Sequence, residues 1–192
     1  ALHGIRRAFR TPLPRTVVAV WALGPVGLMA VQGVRCFEGV EKVIALDPVA
    51  FRRKVALELG ADEAYDPRDP KTESILKSQN EGRGVNYAIN CGLRREEDTA
   101  FVFSTLKSDG FLMNITGVAK SGFQSARTIA GSYYFPISEY YENLRLVREG
   151  KIKLAPVISH EFPLDKINDA MELRSHHPDK ALKIIIRCSD AD

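Results

Sequence analysis

Between Thr16 and Arg187, short runs of β-branched and apolar residues alternate with longer stretches of helical spacing. This rhythm narrows the chain to a small group of folds. The first run, Thr16-Val-Val-Ala-Val-Trp21, shows no polar alternation, as expected of a strand buried on both faces. A helical segment follows from Gly24 to Cys36, with Leu28, Val31 and Val34 on one face. The pattern then repeats: strand Lys42–Asp47, helix Phe51–Leu59 closed by Gly60, and a short strand Glu63–Asp66 stopped by Pro67 and Pro70. A helix over Lys71–Gln79 and a loop at Asn80–Gly84 lead to strand Val85–Cys91. Helix Glu96–Lys107, strands Gly110–Thr116 and Ala126–Tyr134, and helix Ser138–Glu149 complete the series. Six strands alternating with helices predict an α/β protein with a doubly wound, parallel six-stranded sheet and helices on both faces. After Gly150 the rhythm changes. Pro156, Pro163 and Pro178 punctuate a small strand-helix-strand segment: Val157–Phe162, Asp165–Arg174 and Ala181–Arg187. Two units are therefore expected, residues 1–150 and 151–192.

The stretch Val20-Trp-Ala-Leu-Gly-Pro-Val-Gly-Leu28 joins the first strand to the first helix. Set against G-x-G-x-x-G, Ala22 takes the first position, Gly24 the second and Gly27 the third. The first position makes a tight turn, the second lets the backbone approach a pyrophosphate, and the third lets helix pack closely on strand. Amides at the helix start face the phosphates with the helix dipole behind them, so Ala22, Leu23, Gly24, Pro25, Val26 and Gly27 together form the expected cofactor-binding turn. Pro25 suits the first helical position. Ala22 departs from the glycine pattern. Asp47 ends the second strand, where a carboxylate can accept both adenosine ribose hydroxyls and repel the extra phosphate of NADP. Arg52 follows within reach of the ribose edge or adenine. Arg52 and Arg53 keep pairing with a 2′-phosphate open as the alternative. The expectation is a Rossmann-type domain that binds NAD rather than NADP.

The chain also resembles the medium-chain dehydrogenases, the family of zinc-dependent alcohol, polyol and threonine dehydrogenases. The resemblance rests on Gly24-Pro-Val-Gly-Leu28, Val43-Ile-Ala-Leu-Asp47, Ala56 through Leu-Gly-Ala-Asp62, and the opening Leu2-His-Gly-Ile-Arg-Arg-Ala8. It continues through Tyr140–Lys151, Ile158-Ser-His-Glu-Phe-Pro-Leu-Asp165 and Ala181-Leu-Lys-Ile-Ile-Ile-Arg187. It implies that Gly117 and Val118 hold the nicotinamide carboxamide through backbone groups, and that Lys183 reaches the pyrophosphate. It further implies an N-terminal catalytic domain carrying the zinc ligands, whose motifs are not in this sequence. Residues 151–192 then correspond to the return into that domain, and the chain to the back half of such an enzyme. The expected function is the NAD(H)-binding part of an oxidoreductase that moves hydride between an alcohol or polyol and nicotinamide. The substrate site and the catalytic zinc belong to the missing domain. The alternatives are a non-catalytic NAD(H)-binding module, such as a truncated paralogue, and a zinc-free NADPH-dependent reductase. The family habit of joining sheets edge to edge implies a homo-oligomer through the sixth strand.

Composition excludes other classes. The net charge of +3 is small, and its cations are interleaved with acids, which argues against a nucleic-acid partner. No apolar run is long enough to span a membrane, and Ala1–Arg10 lacks the apolar stretch of a signal peptide. Cys36, Cys91 and Cys188 are isolated, without disulfide or metal spacing, which suits a reducing, cytoplasmic setting. His3 and His160 read as packing residues, and His176-His177 lacks further ligands for a metal. Cys91 reads as a small buried hydrophobe, and Tyr133, Tyr134, Tyr140 and Tyr141 as an edge or interface cluster. No catalytic residue and no metal ligand is assigned. There is no Tyr-x-x-x-Lys pair, no Gly-x-Ser-x-Gly elbow and no phosphate loop ending in Gly-Lys-Ser/Thr.

Overall fold

The structure is a computed structural model that describes residues 1–9, 15–115, 126–132 and 134–188. Helix α1 (Leu2–Ala8) precedes β1 (Thr16–Trp21), α2 (Pro25–Val34), β2 (Val40–Leu46), α3 (Ala50–Glu58) and β3 (Glu63–Tyr65). Then come α4 (Pro70–Lys77), the single turn α5 (Gln79–Gly82), β4 (Val85–Asn90), α6 (Glu96–Ser104), β5 (Leu106–Asn114), β6 (Thr128–Gly131) and α7 (Ile137–Arg148). The six strands form one parallel sheet in the order β3-β2-β1-β4-β5-β6. The order reverses between β1 and β4, which opens a crevice at the carboxyl ends of these two strands.

The uninterrupted apolar β1 is central and buried along its whole length. Its alternate residues feed two cores, as the pleat requires. Val18 and Val20 pack with Ile5 of α1, Leu28, Val31 and Val34 of α2, and Val55 and Ala56 of α3. Val17, Ala19 and Trp21 pack on the opposite face with Leu76 of α4 and Val102 of α6. Trp21 meets Phe101 edge-on at 5.5 Å between ring centroids. The doubly wound architecture expected from the alternation is thus present.

Boundaries shift around β5 and β6, and the expected loop takes a special form. Leu106 was expected in a helix, but that helix stops at Ser104 and Leu106 pairs with Val85 in β5. Its apolar side chain serves the same core from the strand. The sixth strand is shorter than the expected 126–134, covering Thr128–Gly131. The loop at 80–84 is a tight left-handed bend with positive φ at Asn80, Glu81, Gly82 and Gly84. A Cβ on Gly84 would lie 2.4 Å from the Thr105 carbonyl oxygen.

After α7 the chain forms β7 (Ile158–Pro163), α8 (Ile167–His176) and β8 (Lys183–Arg187). β7 and β8 pair in parallel as a separate two-stranded sheet. This small unit leans on the larger one. Val157 and Leu182 join the α1–α3 core. Buried Gln32 on α2 donates to the Lys153 carbonyl at 3.1 Å and accepts the Lys153 amide at 2.6 Å.

Candidate dinucleotide site

β1 ends at Trp21 and the chain must turn sharply to start α2. Ala22 makes that turn with φ of 67°, in the left-handed region that glycine normally fills. Its amide donates to the Leu46 carbonyl at 2.9 Å, so the strain is held by the sheet. Gly24 is the N-cap of α2 and Pro25 opens the helix. A Cβ on Gly24 would meet nothing within 4 Å, whereas one on Gly27 would lie 2.1 Å from the Ala22 carbonyl oxygen. The three positions of the turn therefore differ in what they demand. Ala22 carries the unusual backbone angle, Gly24 borders open space, and Gly27 lets the helix touch the strand end. Val26 stands partly exposed beside this opening, while Leu23 is fully buried in the core.

Asp47 lies directly after β2 and is 2 % exposed. Its Oδ2 accepts the Leu23 amide at 2.8 Å and its Oδ1 accepts the Val49 amide at 2.8 Å. The carboxylate thus pins the turn to the tip of β2. The Leu23 amide, in the expected cofactor-binding turn, is spent on this contact. Each oxygen keeps a second lone pair for a sugar hydroxyl. The Arg52 guanidinium sits 3.7 Å from Asp47 Oδ2. It also donates to the Pro178 carbonyl at 2.6 Å, which ties the loop before β8 to the Asp47 edge. Arg52, expected within reach of the ribose edge or adenine, stands at the Asp47 edge and also bridges the two units.

Lys183 and Pro25 face one another across a cleft of about 390 Å³ between α2 and the C-terminal unit. Arg174, at the end of α8, lines the same cleft with Met171, Leu182 and Ile184. No acid lines it, and neither cation has an ion pair among the described residues. Two cations without an ion pair among the described residues thus line the cleft with the helix-opening Pro25. Arg174 was not singled out in the sequence. Its signal was an arginine in a helix with no acid three or four residues before it. Gly117 and Val118 lie outside the described residues, as does Tyr133.

The remaining candidates resolve as packing or surface groups. His3 Nδ1 and Arg6 both hold Glu139 on α7, at 2.8 and 2.7 Å. His160 contacts the Ser159 hydroxyl, and His176 pairs with Glu172 on the surface. Cys91 is buried beside the turn, and desolvation pushes its thiol up to about 12. Tyr134, after β6, and Tyr141, on α7, are exposed. Among the described residues, no three His, Cys, Asp or Glu side chains are grouped to hold a metal ion. The described residues therefore do not form a zinc site. Among these residues, no helix is long and apolar enough to cross a membrane.

Comparison with known proteins gives the lineage. The family model described as zinc-binding dehydrogenase matches residues 25–149. The chain belongs to the zinc-binding dehydrogenase family. An NDMA-dependent alcohol dehydrogenase of Amycolatopsis methanolica is 28% identical over 167 residues, covering 80% of this chain and 44% of that protein. Alcohol dehydrogenase class-2 isozyme 2 of Oryctolagus cuniculus is 30% identical over 173 residues, covering 83% and 45%. A zinc-dependent alcohol dehydrogenase 2 from Streptococcus pneumonia superposes with a TM-score of 0.83 at 23% identity, covering 100% of this chain and 57% of that one. The chain spans about half the length of the curated relatives it matches.

Proposed function

We propose that this member of the zinc-binding dehydrogenase family holds NAD(H), and serves hydride transfer between an alcohol or polyol and the nicotinamide. The observation that carries the reading is the open space at Gly24, next to a cleft at Pro25 that is lined by Lys183 and Arg174, neither of which has an ion pair among the described residues. Gly24 admits the pyrophosphate, and the free amides of the first turn of α2 donate to it. Lys183 and Arg174 offset its charge from across the cleft, and the spare lone pairs of Asp47 accept adenosine ribose hydroxyls. Gly117 and Val118 hold the carboxamide end. When bound, the nicotinamide supplies the hydride acceptor or donor. Asp47 favours NAD over NADP because a second negative group beside a buried carboxylate is repelled.

Residues 1–150 supply most of the cofactor site, with Lys183 and Arg174 added from the C-terminal unit. Residues 151–192 form the return into a catalytic domain, which would supply the zinc and the alcohol site. β6, the last strand in the sheet order among the described residues, suits pairing with a second copy of the sheet. Fluorescence titration with NADH tests the central reading. Gly24→Val should weaken binding by more than about tenfold, or about 1.4 kcal/mol. Its melting temperature should hold, since the new side chain enters open space. A wild-type chain that fails to bind NADH at millimolar concentration would falsify the proposal. Light scattering tests the edge pairing, and a monodisperse monomer would contradict it.

A further inference from the structure

β2 and β3 end side by side. Leu46 pairs with Tyr65, and the Asp47 amide donates to the Tyr65 carbonyl at 3.3 Å. Each strand therefore delivers an aspartate to the same corner, Asp47 from β2 and Asp66 from β3. Asp66 collects two arginines there. Arg68 grips it bidentately, Nε to Oδ1 at 3.0 Å and Nη2 to Oδ2 at 2.8 Å. Arg53 Nη1 stands 3.6 Å from Oδ2. Both guanidinia also donate to the Pro48 carbonyl, Arg53 at 3.0 Å and Arg68 at 3.1 Å, and Arg53 reaches the Asp47 carbonyl at 2.7 Å.

We infer that Asp66 is a second determinant of cofactor choice, excluding NADP by holding Arg53 and Arg68 in ion pairs at the edge of the ribose site. The inference rests on the reading of Asp47 as the adenosine ribose acceptor. Both arginines bond the carbonyl of Pro48, the residue next to Asp47, so a phosphate on a ribose hydroxyl held by Asp47 would lie within their neighbourhood. Arginines are the natural partners of such a phosphate, and their planar forks favour a bidentate grip. Here those forks are already occupied by a carboxylate. A phosphate arriving at this corner meets satisfied cations and two negative groups. The side-chain hydrogen bonds from Arg68 hold the Asp66 carboxyl down to about 2. It therefore stays ionised at every pH where a dehydrogenase works, and the arginines are never released by titration.

The signal was present in the sequence, because Asp66 ends the third strand as Asp47 ends the second. The corner is partly exposed, with Arg68 71% open to solvent. Its selectivity should therefore fade with salt.

The test is equilibrium titration of the wild-type chain and Asp66→Asn with NADH and with NADPH. Asparagine keeps an oxygen for the Arg68 amide, which donates to Asp66 Oδ1 at 2.9 Å, so the turn into α4 is retained. In Asp66→Asn, NADPH affinity should rise about tenfold relative to NADH. The gain should shrink at high salt and vanish when Arg53→Ala and Arg68→Ala are added. A folded Asp66→Asn with an unchanged NADPH:NADH ratio overturns the inference. Should Asp66→Asn fail to fold, Arg53→Ala with Arg68→Ala in the wild-type background decides. Unchanged NADPH affinity supports the inference, and lost NADPH affinity overturns it. A wild-type chain that binds neither nucleotide overturns the cofactor reading itself, whereas NADH binding with an unmoved ratio overturns only the role of Asp66.

Discussion

At the scale of single residues, the turn separates needs that a motif runs together. Gly27 is required by contact: an added Cβ would sit 2.1 Å from a backbone oxygen that cannot yield. Gly27→Ala should lower stability by at least about 2 kcal/mol in chemical denaturation. Ala22 is required by nothing in its side chain and bears a left-handed φ. Ala22→Gly should raise stability by up to about 1 kcal/mol, the relief of that angle set against the freer unfolded chain. The sequence showed where the turn lies and which residue departs from its pattern. It could not show that Gly24 fronts empty space or that the Leu23 amide belongs to Asp47, because both facts depend on where β2 ends in three dimensions. The cysteines differ in the same way. Alkylation of the native chain should modify exposed Cys188 first and reach Cys91 only on unfolding, as burial and an elevated pKa both protect that thiol. Mass spectrometry after brief labelling checks this.

At the scale of elements, strand ends carry more of the chemistry than strand interiors. The interiors were legible because β-branched runs alternate with helical spacing. The ends were not, and Leu106 shows why: an apolar residue serves one core from either a helix or a strand, so periodicity alone cannot assign it. β6 was read too long for a related reason, since aromatic Tyr134 continues the composition of a strand, whereas the pairing with β5 ends at Gly131. The acidic tips of β2 and β3 make a further prediction. Ion pairing lowers the pKa of Asp66, so its contribution is complete above the ordinary carboxylate range and is lost as the pH falls through 4 toward 2. The wild-type chain should exceed Asp66→Asn by about 1 kcal/mol or less near neutrality, the modest value of a partly exposed pair. The two should converge in acid, as followed by denaturant midpoints across pH.

At the scale of the whole molecule, the C-terminal unit was legible as a change of rhythm but not as a neighbour of the cofactor turn. Its apolar residues Ile158, Phe162 and Ile184–Ile186 remain half-buried, as a surface meant for further packing would be. Two polar clasps set its place, Gln32 with Lys153 and Arg52 with Pro178. Gln32→Ala should cost about 1–3 kcal/mol, because it leaves the Lys153 backbone groups without their partner. It should also speed amide exchange at Lys153 more than in β1. The crevice between β1 and β4 holds a last consequence. A Cβ on Gly92, just past β4, would come within 2.7 Å of the Ala22 methyl, just past β1. The two strand ends have room for one methyl between them, so the positions are not independent. Gly92→Ala alone collides, while the same change after Ala22→Gly does not. In a lineage descending from this sequence, the order of those two mutations decides which are passable, and glycine at 22 has to come first.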